Sequence, residues 1–189
     1  MLNNILFLSG WAQKPNLYSN ISYLDYYNHS NINLIEKNGS KFKKIIGWSL
    51  GGQVALRLLS ESILQADELI LINTAFNFDN HDMYSFQESL SKNFTKTIKM
   101  FQKLIGSNID NLHLNHKYYD YWLNELYNYD CNNLNFNKIP KTKILYSSND
   151  KIVSNSNLFL NKISDSQLIK LDNLNHFITE ESLIEYLHD

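Results

Sequence analysis

The chain has 189 residues, 43% of them apolar, and its 17 basic and 19 acidic residues leave a net charge of −2. That length suits one domain with a sizeable core, and that balance excludes a polycation for nucleic acid and an acidic tail. The single cysteine, Cys131, excludes an internal disulfide framework, and a free buried thiol fits a reducing compartment.

In chain order, Ile5-Leu6-Phe7-Leu8 is a short, wholly apolar run ended by Ser9-Gly10, which predicts a buried parallel strand. It lacks the basic flank and length of a secretory signal, and no stretch reaches the roughly 18 apolar residues of a membrane span. A cytoplasmic protein with no membrane association is therefore expected. The N-x-S/T triplets at Asn20, Asn28, Asn38 and Asn93 then follow from Asn-rich composition alone. Ile32-Asn33-Leu34-Ile35 is a weaker strand candidate, and Lys44 to Trp48 is a stronger one. A helix is expected from Gln53 to Leu64, with Val54, Ala55, Leu58 and Leu59 sharing its apolar face. Leu69-Ile70-Leu71-Ile72 is the next buried strand, ending at Asn73-Thr74-Ala75.

From about Phe76 to Asn137 the strand rhythm gives way to helical segments rich in aromatics and lysines. It resumes after Pro140 with the strand Lys143–Tyr146, a helix over Asn155–Lys162, a strand over Gln167–Leu171 and a helix over Thr179–Leu187. Strands alternating with helices imply an α/β fold, a mostly parallel sheet flanked by helices. One domain is expected, its core built from residues 1–75 and 138–189 and its helical cap from 76–137.

The candidate chemistry centres on Gly47-Trp48-Ser49-Leu50-Gly51, a G-x-S-x-G between a strand and a helix. That context is a nucleophile elbow, in which the serine sits on a turn so tight that glycines must flank it. A serine hydroxyl is a poor nucleophile at neutral pH and needs a histidine base oriented by an acid. The elbow's chain order is Ser, acid, His. Asp150 follows the strand Lys143–Tyr146, and His176 lies between the strand Gln167–Leu171 and the last helix, so both occupy strand-end loops. Asp25, Asp67 and Asp172 are rival acids, but none follows the penultimate strand. The amides of Leu50 and Trp11, the latter after the first central strand, are placed to form an oxyanion hole. The Trp11 and Trp48 side chains are expected to wall the pocket. His113 and His116 have i, i+3 spacing but no third ligand, so no metal and no redox cofactor are expected.

Gly10-Trp11, the elbow Gly47-Trp48-Ser49-Leu50-Gly51-Gly52, the Asp150 and His176 loops, and the segment Phe101-Gln102-Lys103-Leu104-Ile105-Gly106 together resemble the pimeloyl-acyl-carrier-protein methyl ester esterases of biotin synthesis. The resemblance implies an α/β-hydrolase fold and a serine carboxylesterase. Ser49, Asp150 and His176 would be catalytic, Trp11 and Leu50 would give the oxyanion amides, and Ile98 to Gln102, including Phe101, would line the acyl channel. The partner implied is the acyl-carrier protein bearing the substrate. The sequence begins at the strand bearing the oxyanion loop, so a trimmed N-terminus, without antiparallel strands before it, is expected.

One feature of the cap bears on that partner without the resemblance. On a helix from about Ser85 to Ile105, Lys92, Lys96, Lys99 and Lys103 follow 4-3-4 spacing, within about 60° of one another at ~100° per residue. A one-sided lysine stripe complements an acidic partner, though it is equally the pattern of a solvated helix face. Tyr118, Trp122 and Tyr129 form a second stripe, expected in the cap core. An acyl thioesterase or small-ester carboxylesterase with the same triad, and a catalytically silent binding protein of this fold, remain alternatives.

Overall fold

Period-two alternation runs through the central strands and sorts their side chains onto two faces. The computed structural model describes residues 4–19, 21–38, 40–77, 80–107, 116–153 and 156–187. Its strands are β1 (Ile5–Leu8), β2 (Ser22–Tyr23), β3 (Ser40–Trp48), β4 (Leu64–Ile72), β5 (Lys141–Ser147) and β6 (Ser166–Leu171). They form one sheet in the order β2-β1-β3-β4-β5-β6, every neighbouring pair parallel. Leu6, Leu8, Ile45, Leu69, Leu71 and Ile144 point into one buried cluster, and Ile5, Phe7, Ile46, Trp48, Ile70, Ile72 and Leu145 into the other.

The helices are α1 (His29–Asn38), α2 (Leu50–Ser60), α3 (Asn80–Lys92), α4 (Phe94–Ile105), α5 (His116–Tyr127) and α6 (Glu180–Leu187). Val54, Ala55, Leu58 and Leu59 of α2 pack into the first cluster with Trp122 and Leu123 of α5, while Leu183 of α6 joins the second. The chain thus has a parallel sheet flanked by helices. Between β4 and β5 the helices α3, α4 and α5 interrupt the strand–helix rhythm.

Several sequence-based expectations change. Ile32-Asn33-Leu34-Ile35 lies within α1, with Ile32 buried and Leu34 57% exposed; a four-residue apolar run fits a helix face as well as a strand. The helix expected to reach Leu64 stops at Ser60, because Ser62 takes a left-handed φ of 61° and turns the chain into β4. The segment expected to be helical after Asp150 is a short 3-10 stretch, Ser156–Asn161. The helix drawn from Ser85 to Ile105 is two helices. Asn93 leaves the helical conformation (φ −156°, ψ 83°), and its side chain caps α4 by accepting from the Lys96 N–H at 3.1 Å. The two-residue β2 pairs outside β1, and so short an edge strand offers little to another chain. His113 and Asn20 lie outside the described residues. Among the described residues no helix is long and apolar enough to cross a membrane.

Candidate active site

The elbow between β3 and α2 is built by close approach. A Cβ at Gly47 would collide with the Gly52 backbone, and one at Gly51 with the Leu8 carbonyl of β1, so α2 lies tight against the sheet only because both are glycine. Between them Ser49 adopts φ 54° and ψ −120° at the head of α2. This strained turn is fixed by the Ser49 N–H donating to the Ile72 carbonyl at 2.8 Å. The Ser49 hydroxyl makes no capping bond to its own helix, which leaves it available to a ligand.

The other two strand ends bring the acid and the histidine together. Asp150 Oδ2 lies 2.8 Å from His176 Nδ1, and both side chains are only 2% exposed. Asp150 Oδ1 accepts from the Ile152 and Val153 amides at 2.7 and 3.0 Å, so both carboxylate oxygens are engaged and the carboxylate is aimed at the ring. A carboxylate on Nδ1 places the proton there and leaves Nε2 as the acceptor. Ser49 and His176 line the same cavity of about 280 Å³, with Trp11, Met83, Phe86, Phe101, Leu104, Leu123, Leu126, Lys151 and Ile152. Its walls are largely apolar, with Ser49, His176 and Lys151 the polar residues of the lining, as small-molecule sites usually are.

The loop after β1 borders the serine. A Cβ at Gly10 would come within 3.3 Å of Ser49 Cβ. Leu50 is the first residue of α2, so its N–H has no partner within the helix. The Trp11 side chain ties the loop to the helical insertion. Its indole N–H donates to the Tyr119 carbonyl at 3.3 Å, and its ring meets Phe86 and Phe101 edge-on at 5.5 and 5.3 Å.

Four predicted contacts fall elsewhere. Trp48 does not wall the cavity. One residue beyond Gly47, which faces α2, it points to the opposite face of the sheet, where it is 1% exposed in the second cluster. There its indole N–H donates to the His176 carbonyl at 2.9 Å, and its ring packs against Phe177. On α4 only Phe101 of the three predicted residues lines the cavity; Ile98 and Gln102 are buried outside its lining. Lys92 leaves the lysine stripe because it ends α3, where it pairs with Glu88 at 2.7 Å and holds that carboxyl below its usual range. Lys96, Lys99 and Lys103 remain together on α4, along a surface groove with Asn93, Thr95 and Met100. Of the predicted aromatic stripe, Trp122 is fully buried and Tyr118 and Tyr129 pack against the first cluster. Among the described residues no group of three or more His, Cys, Asp and Glu is arranged to hold a metal.

Asn73 directly follows β4, and sequence spacing marks it only as a strand terminus. Its amide donates to the His176 carbonyl and to Ser147 Oγ, both at 2.8 Å, and its oxygen accepts the Ser147 N–H at 2.8 Å. It does so from a left-handed φ of 44°, a conformation asparagine tolerates better than most residues. Its position directly after a buried strand was the available signal. On the other flank, the Phe177 N–H donates to the Ile105 carbonyl at the end of α4 at 2.9 Å. The His176 backbone is thus held from β3, β4 and α4 together.

No family model matches the sequence, and no curated protein matches it. Solved structures do. An esterase from Exiguobacterium antarcticum is 15% identical, with 98% of this chain and 91% of that one covered and a TM-score of 0.73. A hydrolase from Oleispira antarctica is 12% identical over 98% and 90% of the two chains, with a TM-score of 0.74. MenH from S. aureus is 16% identical over 97% and 90%, with a TM-score of 0.66. The chain has the α/β-hydrolase fold.

Proposed function

We propose that the protein is a serine hydrolase acting on carboxylic esters. The observation that carries the reading is the buried 2.8 Å contact between His176 Nδ1 and Asp150 Oδ2, in a cavity shared with the uncapped hydroxyl of Ser49. In this mechanism His176 Nε2 takes the Ser49 proton as Oγ attacks the ester carbonyl. Asp150 stabilises the imidazolium, and the Leu50 and Trp11 amides stabilise the oxyanion. The imidazolium protonates the departing alkoxide. Water, deprotonated by His176, then attacks the acyl-enzyme, and the carboxylic acid leaves as Ser49 regains its proton. A fluorophosphonate probe should label the wild type on Ser49 and leave Ser49→Ala unlabelled. An unlabelled wild type would sink the proposal.

For the substrate, we propose the methyl ester of a pimeloyl chain carried on acyl-carrier protein. Two features support it: the apolar cavity wall supplied by Phe101 and Leu104 of α4, and the Lys96, Lys99 and Lys103 groove on the same helix. An acidic carrier docked on that groove would set its acyl chain beside the cavity mouth, with the charges chiefly speeding encounter. The double variant Lys96→Glu/Lys99→Glu should raise KM for a carrier-linked ester about 5- to 10-fold at low salt, and far less for a free short ester. Equal effects on the two esters refute the carrier. Higher activity on acyl thioesters than on methyl esters would point to a thioesterase.

A further inference from the structure

Beneath the loop after β1 lies a pair of buried tyrosines that the reaction scheme above leaves unused. Tyr26 and Tyr27 are 0% and 1% exposed, and their rings stack at 4.7 Å. Trp122 of α5 closes on both from the side, its ring 4.8 Å from Tyr26 and 6.2 Å from Tyr27. Such burial of aromatic hydroxyls requires polar partners, and both find them on consecutive carbonyls of one loop. Tyr26 donates to the Ser9 carbonyl at 2.6 Å, and Tyr27 donates to the Gly10 carbonyl. The Gln13 N–H also donates to Gly10, at 3.2 Å.

The Gly10 carbonyl belongs to the same peptide unit as the Trp11 N–H. In a planar trans peptide these two groups point in opposite directions. Drawing the carbonyl down to Tyr27 therefore turns the N–H the other way, and Trp11 and Ser49 both line the cavity. We propose that Tyr27 is a positioning residue for the oxyanion hole, its hydroxyl fixing the Gly10–Trp11 peptide so that the Trp11 N–H faces the reacting carbonyl at Ser49. Tyr26 plays a different part. The peptide it grips ends in the Gly10 N–H, one residue before the proposed donor, so its bond steadies the loop without setting the Trp11 amide. Burial pushes the Tyr27 hydroxyl up to about 12, so it remains a protonated donor across the neutral range.

This inference rests on the serine-hydrolase reading, and it concerns transition-state stabilisation in particular. An interaction made with the developing oxyanion lowers kcat when weakened and leaves ground-state binding alone. Complete removal of one oxyanion donor costs about 10²–10³ in kcat. Tyr27→Phe keeps the ring and the Gln13 bond and loosens the donor without deleting it, so a loss of about 10- to 30-fold is expected.

The test measures Tyr27→Phe against wild type with a short-chain nitrophenyl ester, a trifluoromethyl ketone of the same acyl chain, and the product acid. The ketone adds to Ser49 as a tetrahedral oxyanion; the acid reports ground-state binding. The expected result is kcat down about 10- to 30-fold, ketone affinity down by the same factor, and KM and acid affinity within about two-fold. A folded Tyr27→Phe with wild-type kcat and ketone affinity overturns the proposal. So does an equal loss of affinity for ketone and acid, which marks general loosening of the pocket. Should the variant not fold, the wild type still answers by NMR. The Trp11 amide proton and the Tyr27 hydroxyl proton should both shift downfield when the ketone adduct forms, and an unmoved Trp11 amide overturns the proposal. A wild type that neither cleaves the ester nor forms an adduct fails the hydrolase reading, a result separable from a normal adduct with an indifferent Tyr27.

Discussion

The two ends of the parallel sheet treat charge in opposite ways. At the end where the strands begin, Glu68 of β4 sits between Lys44 of β3 and Lys143 of β5, with ion-pair distances of 3.2 and 3.5 Å and all three side chains at most 13% exposed. Lys44 also donates to the Tyr186 carbonyl of α6 at 3.4 Å. These charges are engaged with one another and with the backbone. At the carboxyl end the buried charge is Asp150, and it is shared with a histidine that faces a cavity. Positive φ angles occur at both ends, at Asn4 and Ser62 before β1 and β4 and at Ser49, Asn73 and Asn173 after their strands. One end pairs its charges between adjacent strands; the other sets an imidazole and a hydroxyl in the wall of a cavity.

Variants at the two ends should therefore separate activity from stability. Ser49→Ala is expected to lower ester hydrolysis by about 10⁴-fold or more, with an unchanged thermal midpoint, because the hydroxyl makes no capping bond. Asp150→Asn can still accept the Ile152 and Val153 amides through its carbonyl oxygen, but it turns an NH2 toward His176 and favours the wrong tautomer. Its kcat should drop about 10³-fold while its fold persists, as checked by steady-state kinetics beside circular dichroism. At the opposite end the order reverses. Glu68→Gln removes the carboxylate charge from both buried ion pairs and should cost about 3 kcal/mol in denaturant unfolding, with kcat for a simple ester within about two-fold. A large kcat loss there would show that the two ends are coupled. The smallest effect is expected for Trp48→Phe, which keeps an aromatic ring in the second cluster and removes the bond to the His176 carbonyl: about 1 kcal/mol of stability and a several-fold lower kcat.

The carboxyl end was the more legible of the two in the sequence. Gly47 and Gly51 announce the turn because no other residue fits against Gly52 and Leu8, and Asp150 and His176 declare themselves by following apolar strands. The face that Trp48 occupies was also open to reading, since period two sets it opposite to Gly47. The ion-paired end was not, because lysine and glutamate inside strand patterns look like solvent-facing positions until strand order puts them side by side. The Asn93 break, likewise, turns on one asparagine that caps α4 instead of continuing α3, a choice made by the packing of the insertion. Thr97 shows that packing directly, donating to the Ser89 carbonyl across the corner at 2.8 Å. Asn73 and Tyr27 act through bonds to backbone carbonyls distant in sequence or folded back across a loop, and residue spacing carries no trace of those.

The bond from Phe177 to the end of α4 has a consequence for anyone recombining these parts. Gly106, in the left-handed conformation, ends α4 so close to Asn175 that a Cβ there would press on its side chain, and Ile105 receives the Phe177 amide one position beyond His176. The roof of the cavity and the proposed general base are thus one mechanical piece. A chimera that imports a foreign helical insertion to change substrate range would have to transplant Asn175 to Phe177 along with it, or accept a histidine that has lost its seat.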